Sequence, residues 1–360
     1  MRTLFVDVDN ICYEGAKSGS VRNSIGMLKE ISFYNDVDIL EIYNSTDSNT
    51  DRNSHTKTFH KNIDGINVTN LEYNLENVLD FLKNNTFDCI VTTLFSVFLE
   101  KKDLDLLLML QKHTKKFALN VNDILYVKYN QLNKQDAKIY EKILNNSIII
   151  SCSNFVRDNV KMDLGVDSIV VYPLTNISTN ITNKIDSYIT FINPIDIKGL
   201  KIFEKVAEIM PYEKFLVVCG WKESEGYKAK AKNIKVIPFQ KDILNVWKQT
   251  KVLLALSIVP EAYCRVVTEA LLNNCEVIGF DVGGIREAAC GKGTIIESVK
   301  NHGSIIYPKL EESDIELKAI EIKNIIENMK FDKKTDQQIL SFLKQQQVER
   351  NSIYRRIFNE

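Results

Sequence analysis

No C-x-x-C pair occurs among the seven cysteines of this sequence, and their number is odd. That combination argues against a disulfide framework and points to a reducing compartment. Cys89, Cys152, Cys219 and Cys275 fall in predicted strands, where a free thiol packs as a small apolar group. A dominant charge is missing as well: 46 basic residues face 47 acidic ones, for a formal net charge of −1. Without a basic field, nucleic acid is not an expected partner. No apolar run approaches the roughly 20 residues that span a bilayer. The first residues turn acidic at Asp7, so no secretory leader is read and a cytoplasmic protein is expected. Repeats of solenoid length are absent. So is a G-x-G-x-x-G after the first strand, which argues against a nicotinamide enzyme. His55 and His60 lie five apart in a polar stretch, whereas ligands on one helix face lie about four apart. No cysteine or acid cluster completes a site there, and no metal is expected.

What the chain has in plenty is alternation. At 360 residues, 44% hydrophobic and 26% charged, it suits a soluble protein of two domains. Short β-rich runs at Thr3–Val8, Val37–Tyr43, Cys89–Thr92, Phe117–Val121, Ser147–Ser151 and Ser168–Tyr172 alternate with helical patterns. The helices read as Val21–Phe33, Leu75–Leu82, Asp103–His113, Asp136–Leu144 and Phe155–Met162. This alternation predicts a doubly wound parallel sheet, whose ligands bind at the carboxyl ends of strands. The polar stretch Asn44–Asn62 reads as a loop. Pro173–Asp186 lacks a core pattern and reads as a linker. A second series follows, with strands at Tyr188–Ile192, Phe215–Gly220, Lys235–Phe239, Val252–Ile258 and Glu276–Phe280. Helical stretches at Ile315–Met329, Thr335–Gln346 and Val348–Phe358 end the chain. Domains are therefore expected at 1–172 and 188–335, joined by residues 173–187 and followed by C-terminal helices over 336–360.

The most informative stretch runs from Val259 to Gly293. Pro260 stops strand pairing because it lacks an N–H, and a helix begins at about Cys264. Val266, Val267, Ala270 and Leu271 form one apolar stripe, and Asn273 and Asn274 end the helix. A helix N-terminus carries unsatisfied N–H groups and partial positive charge, which suits a diphosphate. Glu261 and Glu269 are eight residues apart, at most roughly 12 Å along a helix. That is about the reach from a sugar ring past two phosphates to a ribose, and carboxylates accept hydrogen bonds from hydroxyl pairs. Alone, Arg265 and Glu269 at four-residue spacing would read as a solvated helix pair worth a few tenths of a kcal/mol. The order of strand, tight loop, helix and strand outweighs that.

The same residues resemble the paired-glutamate signature of the retaining glycosyltransferases of family 4, which have the GT-B fold. Pro260, Glu261, Glu269 and Ala270 match it, as do Gly283, Gly284 and Glu287 of its Gly-Gly-x-x-E segment. Cys264 stands where the family has a glycine. The resemblance extends to Lys198 and Gly199 of a Gly-Arg-x-x-x-x-Lys-Gly segment, with Asn193 at the arginine position. Asn193 offers amide donors but no charge, so Arg265 is the expected second cation. Pro238 and Phe239 match the segment beside the nucleotide base, and Gly19 and Ser20 fall in the small-residue loop that approaches the phosphates. Asn122 and Asp123 stand where relatives have His-Asp on the acceptor side.

The resemblance implies two Rossmann-like doubly wound domains with a cleft between them. It implies transfer of a sugar from a nucleoside-diphosphate donor to an acceptor hydroxyl, with retention and without cofactor or metal. Lys198, Glu261 and Arg265 would carry the chemistry; Asn193, Gly199, Ala262, Tyr263, Cys264, Val266 and Glu269 would hold the donor. The acceptor would be a glycan, a lipid-linked molecule or a protein, and a lipid-borne acceptor would bring a peripheral contact with the inner membrane face. A non-catalytic GT-B subunit and a nucleotide-sugar epimerase are the alternatives. Asp7-Val8-Asp9 also resembles the opening of a haloacid-dehalogenase-type phosphatase and the Asp-x-Asp of the other large glycosyltransferase fold, but no later lysine and acidic pair completes the former. Leu106–Leu110, followed by Lys112, His113, Lys115 and Lys116, reads as a core helix with a favourable basic end rather than a membrane-surface element.

Overall fold

A computed structural model describes residues 1–8, 19–43, 58–63, 65–93, 101–175, 185, 187–330 and 337–359. The chain divides into two compact units. One comprises Ser20–Leu174 with Met1–Ala16 and Val348–Glu360; the other comprises Thr175–Gln347 with Lys17–Gly19.

The first unit contains β1 (Arg2–Val8), α1 (Gly19–Ile31), β2 (Asp36–Tyr43), β3 (Thr58–Ile63) and β4 (Ile66–Glu72). It continues with α2 (Leu75–Asn84), β5 (Cys89–Thr93), α3 (Lys101–Lys112), β6 (Lys116–Val121) and α4 (Lys134–Asn145), and closes with β7 (Ile148–Ser151), α5 (Asn154–Leu164) and β8 (Ile169–Val170). Its sheet runs β3-β4-β2-β1-β5-β6-β7-β8. Every pairing is parallel except β3 with β4. The order turns back at β1, so the carboxyl ends of β1 and β5 form a topological switch point. One sheet face carries Phe5, Ile39, Val68, Val91 and Ala118, which pack with Met27, Leu28 and Ile31 of α1.

In the second unit, β9 (Tyr188–Ile192), α6 (Leu200–Ile209), β10 (Phe215–Val218), β11 (Ile234–Ile237), α7 (Leu244–Trp247) and β12 (Thr250–Ala255) come first. Then follow α8 (Arg265–Leu272), β13 (Glu276–Phe280), α9 (Ile285–Ala288), β14 (Thr294–Ile296) and α10 (Glu312–Asn328). The sheet order is β11-β10-β9-β12-β13-β14, parallel throughout, with its switch point between β9 and β12. On α6, Ile202, Phe203, Val206 and Ala207 form a buried stripe. Phe203 stacks on Phe191 at 4.6 Å and meets Phe215 edge-on at 5.7 Å. Each such buried side chain contributes about 1.5–3 kcal/mol. This packing fixes the sheet that carries the loops described below. The expectation of two doubly wound sheets therefore holds, with one antiparallel edge strand in the first.

Several boundaries differ from expectation. Asn44–Asn62 was expected to be loop, yet Thr58–Ile63 is a strand antiparallel to β4, with Ile63 paired to Ile66. Asp64-Gly65 between them is a two-residue hairpin signal, and Gly65 takes φ 84°. The two helices expected at Thr335–Gln346 and Val348–Phe358 are one helix, α11 (Gln337–Phe358), because no glycine or proline interrupts the run. The run Val252–Ile258 pairs only to Ala255, and Ser168–Tyr172 shrinks to β8. Cys152, Cys219 and Cys275 are buried just beyond strand ends. His55 and most of the expected linker lie outside the described residues. Among the described residues no helix is long and apolar enough to cross a membrane.

The end of α11 belongs to the first unit's core through Tyr354, Ile357 and Phe358. It is also pinned by a charge pair: Arg350 donates from Nε and Nη2 to Glu30 of α1 at 2.6 and 2.8 Å, with both side chains buried. Removing one partner of such a pair strands the other charge in a low dielectric. Arg350→Ala is expected to destabilise the first unit by about 3–5 kcal/mol, measured by urea denaturation. A joint Arg350→Met, Glu30→Leu replacement should cost much less.

Candidate functional site

The carboxyl ends of four neighbouring strands, β10, β9, β12 and β13, supply one site in the second unit. After β9 the chain makes a single 3-10 turn at Asp196–Lys198 and enters α6 through Gly199. Gly199 takes φ 84°, and a Cβ there would lie 2.2 Å from the carbonyl oxygen of Leu256. Only glycine fits. The loop after β12 is tied to the same turn, since the Ile258 N–H donates to the Ile197 carbonyl at 3.0 Å. Lys198 and Glu261 are thereby brought face to face. Lys198 Nζ donates to Glu261 Oε1, which also accepts from the Ser257 hydroxyl. The lysine and glutamate side chains retain 17% and 14% of their exposure, so the pair is not a solvated surface bridge.

Glu261 is held from its other side by the double glycine. It forms a parallel bridge with Gly283, and the Gly284 N–H donates to the Glu261 carbonyl at 2.7 Å. Pairing that lapses before Pro260 thus resumes at Glu261. Gly283 takes φ 61° as expected for a tight turn, but Gly284 does not, having φ −81°. Its constraint is space: a Cβ would sit 2.5 Å from the Ala262 oxygen and 2.8 Å from the Tyr263 Cα.

Cys264 precedes α8 with φ 70°, left-handed backbone that a non-glycine residue seldom adopts. Burial and the nearby Glu261 carboxylate push its thiol well up, away from thiolate nucleophile character. Tyr263 is buried, its hydroxyl likewise raised by burial, and lies 3.4 Å from the Thr268 hydroxyl. Thr268, which carried no signal in the sequence, also donates to the Ala288 carbonyl at 2.8 Å and so ties α8 to α9. On α8 Arg265 donates to Glu269 Oε1 at 3.1 Å, with side chains 19% and 14% exposed. The four-residue pair is real, but it is largely shielded from solvent. Ala262 and Val266 are half-buried beside it.

Asn193, at φ 60°, uses its side-chain oxygen to accept the Trp221 N–H at 2.9 Å. Trp221 was not singled out in the sequence, yet its ring lies beneath Lys198 Nζ, 4.8 Å from the centroid. Pro238 and Phe239 follow β11, two strands from β9, with Pro238 exposed.

The first unit holds the remaining candidates. Gly19 opens α1, and the Ser20 side chain lies outside the described residues. Asn122 accepts from Asn23 at 2.6 Å and donates to Ser24 at 3.1 Å. The Asp123 carboxylate accepts the N–H groups of Ile124 and Leu125 at 2.7 and 3.2 Å. Asp7, Glu41 and Asn70 are buried and directly paired across β1, β2 and β4, a polar row near the strand ends. Its only sequence signal is a polar residue at the last inward position of each strand. Among the described residues no group of three or more His, Cys, Asp or Glu could hold a metal.

Residues 182–338 match the family model of the glycosyl transferases group 1. The match lies within the second unit. No curated protein sequence matches the chain. Among solved structures, a glycosyltransferase from Rickettsia africae shares the fold at 14% identity and a TM-score of 0.69, over 100% of this chain and 99% of its own. HepE from Anabaena, crystallised with UDP and glucose, aligns at 14% identity and TM-score 0.61, over 99% and 95%. The pneumococcal O-GlcNAc transferase GtfA, with UDP and GlcNAc, aligns at 11% and 0.64, over 100% and 99%.

The matched residues contain the whole Lys198–Glu261 cluster and the double glycine. Gly284→Ala is expected to leave the sheet folded but displace the loop carrying Glu261, lowering Tm by several degrees. Differential scanning calorimetry checks this; an unchanged Tm would mean that the loop yields freely.

Proposed function

We propose that the protein is a retaining glycosyltransferase that moves a sugar from a nucleoside-diphosphate donor to an acceptor hydroxyl. The observation that carries this reading is the Lys198–Glu261–Ser257 cluster at the switch point of a group 1 domain. A glutamate presented there can accept hydrogen bonds from sugar hydroxyls. A lysine on the same oxygen can turn to the leaving diphosphate, where negative charge develops. The N-terminus of α8, with Arg265 on its first turn, adds positive potential for that diphosphate. Glu269 lies one turn further on and reads as the ribose ligand; to serve, it keeps Arg265 as neighbour and presents its second oxygen to the hydroxyls. Fixed cations and N–H dipoles meet the diphosphate charge, so turnover is expected in the presence of a chelator. The departing phosphate is the base this reading assigns to the acceptor proton, and the half-buried Cys264 thiol, pushed up, is no candidate for a nucleophile.

HepE and GtfA were both crystallised with UDP, which makes UDP-sugars the first donors to try. Glycan, lipid-linked and protein acceptors all suit the proposal, and an inner-membrane-face location follows for the lipid-linked case.

A thermal-shift and product screen with UDP-, GDP-, ADP- and CMP-sugars tests the proposal. One donor should raise Tm and release its nucleotide slowly. Conversion of the donor sugar without acceptor would point to an epimerase; silence across the panel would favour a non-catalytic subunit. Glu269→Ala is expected to weaken nucleotide binding about tenfold or more with the fold intact, and unchanged binding removes the ribose assignment. Lys198→Ala should lower turnover by about a hundredfold or more with little loss of Tm. Equal turnover would make the lysine a structural residue.

A further inference from the structure

We propose that Trp221 is a positioning residue of this site, whose indole face holds Lys198 aimed at the diphosphate. The inference rests on the reading of the cluster as a donor site.

Two of the contacts of Lys198 differ in kind. Glu261 offers a carboxylate, and Trp221 offers a ring face 4.8 Å from Nζ. They do different things to the ammonium. A carboxylate holds it and cancels its charge; an aromatic face attracts it through the ring quadrupole and leaves the charge whole. When sugar hydroxyls engage Glu261, the carboxylate is shared and its grip on Lys198 weakens. The ring then remains as a handhold that still lets the full positive charge meet the phosphates.

The surrounding backbone is built to present that ring. Trp221 follows β10, the strand beside β9, and its N–H donates to Asn193 Oδ1 at 2.9 Å. Asn193 reaches it from left-handed backbone at φ 60°, a conformation asparagine tolerates better than most residues. Gly220 is pressed against the same oxygen, where a Cβ would come within 2.3 Å. From the other side the buried Ser224 hydroxyl accepts the Gly220 N–H at 3.0 Å and donates to the Trp221 carbonyl at 2.6 Å. Four hydrogen-bonding or steric constraints thus converge on the backbone that carries one half-buried indole. Asn193 accordingly acts through Trp221 and Lys198, as an anchor rather than a ligand.

The test is a double-mutant cycle on affinity for the panel donor that stabilises the wild-type protein, with turnover measured alongside. Trp221→Leu should weaken donor binding and turnover by about five- to tenfold. Trp221→Phe, which keeps a ring face, should stay within about threefold of wild type. In a Lys198→Ala background Trp221→Leu should add less than about twofold, because both changes remove one interaction. A Trp221→Leu protein that binds like wild type, a Trp221→Phe protein as damaged as Trp221→Leu, or losses that multiply independently would each overturn the proposal.

A donor-free arm separates this inference from the functional reading. The sequence holds two tryptophans, and Trp247 is fully buried. Lys198→Met should shift the tryptophan emission, and the shift should vanish in a Trp221→Phe background. Failure of the wild-type protein to bind any panel donor would overturn the donor reading, while an emission unmoved by Lys198→Met would overturn the Trp221 contact itself.

Discussion

Everything at the second unit's site depends on one close approach, the backbone of Gly199 against the carbonyl of Leu256. Strands β9 and β12 are parallel neighbours whose chains depart in opposite directions. Their loops would diverge were they not drawn together at this point. Because Gly199 has no Cβ, the turn bearing Lys198 lies flush with the segment bearing Ser257 and leading to Glu261. The Ile258–Ile197 hydrogen bond then locks the two loops in register. Lysine and glutamate meet at short range with most of their surface removed from water. Such a pair adds little net stability, since desolvation offsets much of the Coulomb gain. Its consequence is placement.

Around that contact the chain accepts unfavourable local conformations. Asn193 and Cys264 both adopt left-handed backbone without being glycine, at a cost of order 1–3 kcal/mol each. The double glycine is packed against the Glu261–Tyr263 loop so tightly that either position excludes a side chain. These costs are offset by the core beneath, where Phe191, Phe203 and Phe215 stack through α6. The outcome is a set of charges and dipoles fixed in advance, which is what stabilisation of a developing anion requires.

The first unit repeats the strand order of the second in its central six strands, with β3 and β8 added at the edges, but not its chemistry. At its strand ends stand Asp7, Glu41, Asn70 and Asn120, with Ser24 of α1 beside the last, in place of a lysine–glutamate pair. One topology, used twice, therefore offers two different surfaces. That is as expected where a fold supplies positions and loop residues supply function. The buried Arg350–Glu30 pair shows a further use of charge here, holding the end of α11 rather than a ligand.

The alternation of apolar strands with amphipathic helices was legible along the chain, because periods of 2 and 3.6 survive in any environment that buries one face. The hairpin of β3 and β4 was missed, because β3 is so polar that composition suggested a loop. Glu261, Glu269, Lys198 and the double glycine were singled out through the resemblance to the family 4 signature. Trp221 and Thr268 were not, because each matters through a partner 23 or 20 residues away, and Ser257, only four residues from Glu261, was not because their contact needs the loop to fold back on itself. Nor could spacing say what Asn193 does: at an expected phosphate-binding position it instead accepts a backbone N–H from the next strand's loop. Sequence by itself determined the two alternating units and the identity of the charged residues, since both are written in local patterns. Which of those charges face one another, and which aromatic ring lies beneath the lysine, only the tertiary structure decided, because the parallel order β10-β9-β12-β13 brings together loops that are distant along the chain.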